Sequence, residues 1–219
     1  MPAPLIELNG IVFRYPHGPE VFRDLRLALC AGERIGITGS NGSGKSTLLQ
    51  LVVGLMRPEG GTIRLFGEAP AGEPGFVSAR RRIGFLFQDS DDQLFCPTVL
   101  EDVAFGPLNQ GHSQAAAHGI AAAKLEEMGL THLAERVIYR LSGGEKRMVA
   151  LAGVLAMSPE VLLLDEPTAG LDSAAVRRIE SQLGMLNHEM IVVSHDNDFL
   201  ERACNAIYVL HEGVLVRTV

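Results

Sequence analysis

Positive charge is scarce in this sequence: 19 Lys and Arg against 26 Asp and Glu leave a formal charge of -7 over 219 residues. Proteins that grip nucleic-acid backbones concentrate positive charge, so no nucleic-acid partner is expected. The one tight basic run, Arg80-Arg81-Arg82, reads as a solvated entry to a strand. Cysteine is also sparse. Cys30, Cys96 and Cys204 are odd in number and form no C-x-x-C pair, which argues against a disulfide framework and fits reduced thiols in a cytosol. No secretory leader is visible at Met1-Pro2-Ala3-Pro4, and no apolar run reaches the about 18 to 20 residues of a spanning helix. The longest, Met148 to Met157, is broken by Gly153, so a membrane role is expected only through a partner. Internal repeats, low-complexity tracts and linkers are absent. The seven histidines lack ligand spacing, and Asp89, Asp91 and Asp92 lack the spacing and glycine of a calcium loop, which leaves a solvated loop.

What is present is a phosphate grip. Gly39-Ser40-Asn41-Gly42-Ser43-Gly44-Lys45-Ser46-Thr47 satisfies G-x-x-x-x-G-K-S/T between a short apolar strand, Arg34 to Thr38, and a helical run through Leu48, Leu49, Leu51, Val52 and Leu55 that Arg57-Pro58 stops. Glycines let successive N–H groups converge on phosphates and the helix N-terminus adds its positive end. Lys45 is expected to reach the β- and γ-phosphates and Ser46 to ligate Mg²⁺; a merely flexible turn is the bland alternative.

Strands are expected at Leu5 to Phe13, Leu25 to Leu29, Glu33 to Thr38, Thr62 to Phe66 and Ile83 to Phe87, then helices over Ser113 to Met128 and Gly143 to Met157. Val161 to Leu164 and Met190 to Val193 are continuous apolar runs of the kind found in parallel strands covered on both faces, and Ala174 to Leu186 bridges them as a crossover helix. Asp165-Glu166 follows the first of these strands, at the edge where open α/β sheets bind ligands. Asp165 suits Mg²⁺ and Glu166 suits polarising an attacking water, although paired acids can also cap the next helix. Ser142-x-x-Glu145 has the form of a capping box.

Leu141-Ser142-Gly143-Gly144-Glu145, with the phosphate loop and Asp165-Glu166, resembles the signature of the ATP-binding cassette (ABC) ATPases over essentially the whole chain. The resemblance implies an α/β P-loop NTPase fold: a RecA-like core with a mainly parallel sheet (residues 1–88 and 160–219), antiparallel β elements, and a helical subdomain insertion (residues 89–159). It implies that Tyr15 stacks on adenine, that Gln88 joins Mg²⁺ and water to the helical subdomain, that Asp172 crosses a dimer interface, and that His195 senses the γ-phosphate. A lone Tyr is more often packing and a lone His more often structural. Glu145 stands where the family often has Gln, and is expected to face the backbone, because a carboxylate beside the γ-phosphate would be repelled.

Phe87-Gln88-Asp89-Ser90-Asp91-Asp92-Gln93-Leu94-Phe95 and Glu101-Asp102-Val103-Ala104-Phe105-Gly106-Pro107-Leu108-Asn109 are similar to the ATPases of energy-coupling-factor importers, best to the cobalt and nickel branch. Those ATPases often carry a C-terminal extension, whereas this sequence ends at Val219. The resemblance implies a homodimer or paired ATPase at the cytoplasmic face of the membrane that sandwiches two ATP with Mg²⁺. Ser142, Gly143 and Gly144 of one copy would then act on ATP held by the other. Integral membrane and substrate-binding components would bind the cargo. Rivals are the same role in vitamin import such as biotin, a soluble ABC ATPase of DNA repair or translation, and a nucleotide-gated module without turnover.

Overall fold

The computed structural model describes residues 3–218; Met1, Pro2 and Val219, which the readings of both termini include, lie outside the described residues. Two compact units form, one from the residues up to Ile83, Glu160–Glu166 and Asn187 onward, the other from Gly84–Pro159 and Pro167–Leu186.

The first unit holds an antiparallel sheet of order β2-β1-β4, built from β1 (Ile6–Arg14), β2 (Glu20–Leu29) and β4 (Gly60–Leu65). Ile6, Leu8, Ile11 and Phe13 of β1 are buried, with a register irregularity between Leu8 and Ile11. That irregularity resets the alternation so that both halves of the strand face the core. A second sheet contains the order β6-β7-β3-β8-β9, from β3 (Arg34–Thr38), β6 (Val161–Asp165), β7 (Glu189–Val193), β8 (Ala206–His211) and β9 (Val214–Arg217). β6, β7, β3 and β8 pair in parallel, and β9 is antiparallel to β8. All of β6 is buried, as is Met190–Val193 of β7, so their unbroken apolar sequence matches strands covered on both faces.

Because β6, β7 and β3 are parallel neighbours, the chain leaves all three at one edge. It passes from β3 into the loop at 39–44, from β6 into Glu166 and from β7 into Ser194-His195. α1 (Lys45–Val52) packs on β6 and α7 (Asn197–Ala203) on β3. α1 stops at Val52 and does not extend to Leu55: Gly54 turns the chain with φ +71°, where an added Cβ would lie 2.4 Å from the Phe76 ring. β2 begins at Glu20, five residues before the expected Leu25. The basic run divides its labour. Arg80 closes α2 (Gly72–Arg80) by donating to the Val53 carbonyl, while Arg82 pairs with Glu160 at 2.5 Å and stacks on Phe66.

β5 (Ile83–Leu86) carries the chain into the second unit, where α3 (Val99–Asn109) packs on α4 (Gln114–Glu127) and α5 (Gly143–Ala156), and α5 packs on α6 (Ser173–Met185). Ala117, Ala121 and Leu125 give α4 a buried stripe at helical spacing. The division falls at 83/84 where the sequence reading has 88/89, and at 159/160 as in that reading. Gly84–Gln88 and Pro167–Leu186 group with the helices, because α6 buries Ile179 and Leu183 and packs on α5.

Candidate active site

Gly44 is the residue on which α1 begins, with φ +103°, and a Cβ there would lie 2.6 Å from Val21 Cγ1. Only glycine allows that turn beside β2. The helix start has no side-chain cap and no acidic residue in its first turn, which leaves its positive end to an external anion. Lys45 is 7 % exposed and its Nζ donates to the Gly39 carbonyl at 2.9 Å and the Ser40 carbonyl at 3.2 Å, so the ammonium is anchored over its own loop. Ser43 Oγ is buried inside that loop with no hydrogen-bond partner. A buried hydroxyl without a partner is costly in a finished fold and fits a loop built to receive a polar ligand. Asn41 and Gly42 are exposed at the loop tip. Tyr15, just past β1, packs edge-on against Phe13, and its hydroxyl lies 2.7 Å from Thr47 Oγ1. The ring is thereby tied to α1 and stays 39 % exposed.

The two acids have different partners. Asp165, 4 % exposed, accepts a hydrogen bond from Ser46 Oγ at 3.1 Å, so a hydroxyl of α1 and a carboxylate of β6 share one oxygen-rich spot. Glu166 leaves the strand with φ +46°, a left-handed conformation that costs a non-glycine residue about 1–3 kcal/mol and tends to persist where a site requires it. Its Oε2 accepts from the His195 backbone N–H and from Ser194 Oγ, both at 3.3 Å, and lies 2.8 Å from His195 Nδ1. Ser194 is fully buried at the end of β7. It is the second holder of Glu166, legible only as a hydroxyl next to the histidine. Lys45, Ser46, Thr47, Asp165, Glu166 and His195 thus stand on the adjoining ends of β3, β6 and β7 or the helix that follows them.

The remaining expected site residues belong to the second unit. Gln88 is exposed just beyond β5. Ser142 caps α5, accepting from the Glu145 N–H at 3.3 Å, while the Glu145 carboxylate returns to the Ser142 N–H at 2.8 Å. Gly143 is exposed, and Gly144 sits where a Cβ would lie 2.9 Å from that of Ala175. The bonds from Ser142, backbone first and hydroxyl second, hold the Glu145 carboxyl below its ordinary range, with Arg136 at 3.7 Å adding to the effect. Asp172 caps α6 through bonds from the Ala174 and Ala175 N–H groups, which lower its pKa in the same way. Glu145→Gln is expected to keep at least half of the ATP turnover, since an amide oxygen accepts the same backbone bond and loses only the charge at the helix start. Phosphate-release kinetics check this. A loss as deep as that of a Lys45 variant would instead put Glu145 on the nucleotide.

The pattern described as ABC transporter matches residues 22–169. An ABC transporter ATP-binding protein of Nitratidesulfovibrio vulgaris, so named provisionally, is 49% identical over 97% of this chain and 78% of its own length. The energy-coupling factor transporter ATP-binding protein EcfA of Methanosphaera stadtmanae is 39% identical over 98% of this chain and 78% of its own. Among solved structures, CbiO1 of Clostridium perfringens, part of the ABC transporter complex cbiONQ, superposes with a TM-score of 0.87 at 34% identity, covering 98% of this chain and 87% of that one. A dimeric ATP-binding cassette in a post-hydrolysis state with ADP and phosphate superposes with a TM-score of 0.87 at 28% identity over 97% of both chains. The anchored lysine, the cradle with its unpartnered hydroxyl and the separately held acids all lie in the first unit. The chain belongs to the ABC transporter family, as an ATP-hydrolysing subunit of the energy-coupling-factor type.

Proposed function

We propose that this subunit energises an importer of cobalt or nickel, working as one of a pair of ATPases at the cytoplasmic face of a membrane. The observation that carries the proposal is an aromatic pair within the motifs similar to the cobalt and nickel branch. Phe95 and Phe105 meet edge-to-face at 4.7 Å, yet stay 63 % and 41 % exposed. They line a groove of the helical unit with Leu94, Gly106 and Met157. Two aromatics held together at a surface suit contact with an apolar helix, such as one of a membrane subunit. No helix among the described residues is long and apolar enough to cross a membrane; within this reading the transport path and the cargo site belong to such subunits.

Within this reading Ser46 and Asp165, with Gln88 as the resemblance implies, would hold Mg²⁺. The hydroxyl and carboxylate already together at 3.1 Å are the hard oxygen donors it selects, with waters and phosphates completing its shell. Bound there, the ion neutralises charge on the phosphates. Lys45 and the loop N–H groups bind the β- and γ-phosphates, Tyr15 stacks on adenine, Glu166 orients and polarises the attacking water, and His195 holds Glu166 and senses the γ-phosphate. Ser142, Gly143 and Gly144 act on the nucleotide of the paired copy, and Asp172 lies at that interface.

Cells lacking this chain are expected to lose high-affinity cobalt or nickel uptake, measured with radioactive metal at nanomolar concentration. Normal uptake of both metals together with failure to accumulate a vitamin would transfer the proposal to vitamin import.

A further inference from the structure

Arg147 is a buried cation that none of the roles above uses. It lies on α5, five residues after Ser142, and is 5 % exposed. Its Nη1 donates to the Phe87 carbonyl at 2.6 Å and its Nη2 to the Gln88 carbonyl. A guanidinium is a rigid planar fork, so two successive carbonyls gripped by one fork fix the orientation of that peptide segment relative to α5. The other side of the segment is closed by Gln93, whose Oε1 accepts from the Phe87 N–H at 3.0 Å and whose Nε2 donates to the Phe85 carbonyl at 3.1 Å. Both backbone groups of Phe87 are therefore occupied. Lys146 adds an ion pair to Asp91 at 2.5 Å, but Asp91 is 66 % exposed and the pair is screened by solvent. The buried grip of Arg147 is the stronger tie.

We propose that Arg147 is the positioning residue that makes Gln88 and the Ser142-Gly143-Gly144 start of α5 move as one body. This rests on the proposed roles of Gln88 and of the signature. A γ-phosphate sensed through Gln88 then sets the signature helix without a second binding event. Discrete, tightly bonded elements transmit such displacements, whereas exposed side-chain pairs absorb them. Arg147 is not among the residues proposed above to bind nucleotide, so its removal is expected to slow turnover while leaving nucleotide binding alone.

The test is a double-mutant cycle on the full chain, reading ATP turnover, KM for ATP and thermal unfolding. Arg147→Met, which keeps an unbranched apolar stem, is expected to lower kcat about tenfold with KM within about twofold of wild type. Arg147→Lys, which keeps the charge and loses the fork, is expected to lower kcat about threefold. In a Gln88→Ala background, Arg147→Met is expected to cost less than about twofold more, because the element it positions no longer reports. If the Met variant does not fold, Arg147→Lys runs the same cycle. Wild-type kcat in the single variant overturns the proposal, as does a full multiplicative loss in the Gln88→Ala background. Wild-type turnover by Gln88→Ala alone overturns the assignment of Gln88 itself, and with it the proposal.

Discussion

Lys45→Ala is expected to abolish ATP turnover, by at least about a hundredfold in kcat, and to weaken ATP binding sharply. The ammonium is 7 % exposed and its two observed bonds both go to carbonyls of the loop it serves, Gly39 and Ser40. That arrangement holds the charge in place before a phosphate arrives, so little is lost in ordering the side chain on binding, and its hydrogen bonds to phosphate oxygens are charge-assisted. Alanine removes the charge and leaves both carbonyls without this donor. The loop is therefore expected to loosen locally, while the sheet, which does not depend on it, keeps its unfolding midpoint within a few degrees. Phosphate release, fluorescent-nucleotide titration and thermal unfolding measured on one preparation separate these effects. Turnover near wild type in a folded Lys45→Ala protein would remove the phosphate loop from the active site.

The difference between the legible and illegible parts of this chain follows from where the information resides. The phosphate loop, β3, β6, β7 and the capping box at Ser142 and Glu145 were readable because each is dictated locally: by glycine conformations, by apolar runs of strand length, by a side chain reaching its own helix start. Turn chemistry hid other elements. α3 contains Gly106 and Pro107, which read as helix breakers, although Gly106 lets α3 approach the Met157 side chain, where a Cβ would lie 2.5 Å from its Cγ. α1 looked longer than it is because Leu55 continues the apolar spacing, whereas Gly54 in the left-handed region ends the helix. The ties between distant residues could not be read at all. Arg147 to the Phe87 and Gln88 carbonyls spans about sixty positions, and its one visible sign is a cation beside the apolar run Met148 to Leu151. Asp102, buried on α3, is another such case: it accepts the N–H groups of Phe95 and Cys96 and fixes the segment that presents Phe95. Desolvation raises the pKa of that carboxyl despite those bonds.

Neighbouring acids offer the sharpest division of labour in the site. Asp165 and Glu166 are adjacent, but Asp165 ends β6 against Ser46 and Glu166 turns away at φ +46° to meet Ser194 and His195. Asp165→Asn keeps an oxygen able to accept from Ser46 Oγ but loses the negative charge a divalent cation needs. ATP binding is then expected to lose about tenfold of its enhancement by Mg²⁺. Glu166→Gln is nearly isosteric and its amide oxygen accepts the same bonds from Ser194 and His195, so the fold and ATP affinity are expected to stay within about twofold of wild type. Turnover is expected to fall at least about a hundredfold, because an amide cannot take a proton from water. If closure is driven by the γ-phosphate and reopening by its loss, the Glu166 variant is expected to accumulate as a closed pair holding uncleaved ATP. Light scattering at saturating ATP and Mg²⁺ is expected to give twice the 23.6 kDa mass of the chain, and acid quenching to recover ATP and not ADP. A monomer that turns ATP over at a near-normal rate would refute both the assignment of Glu166 and the paired mechanism. An inactive monomer with ATP bound would keep Glu166 as the group that acts on water and transfer the closing step to the membrane subunits.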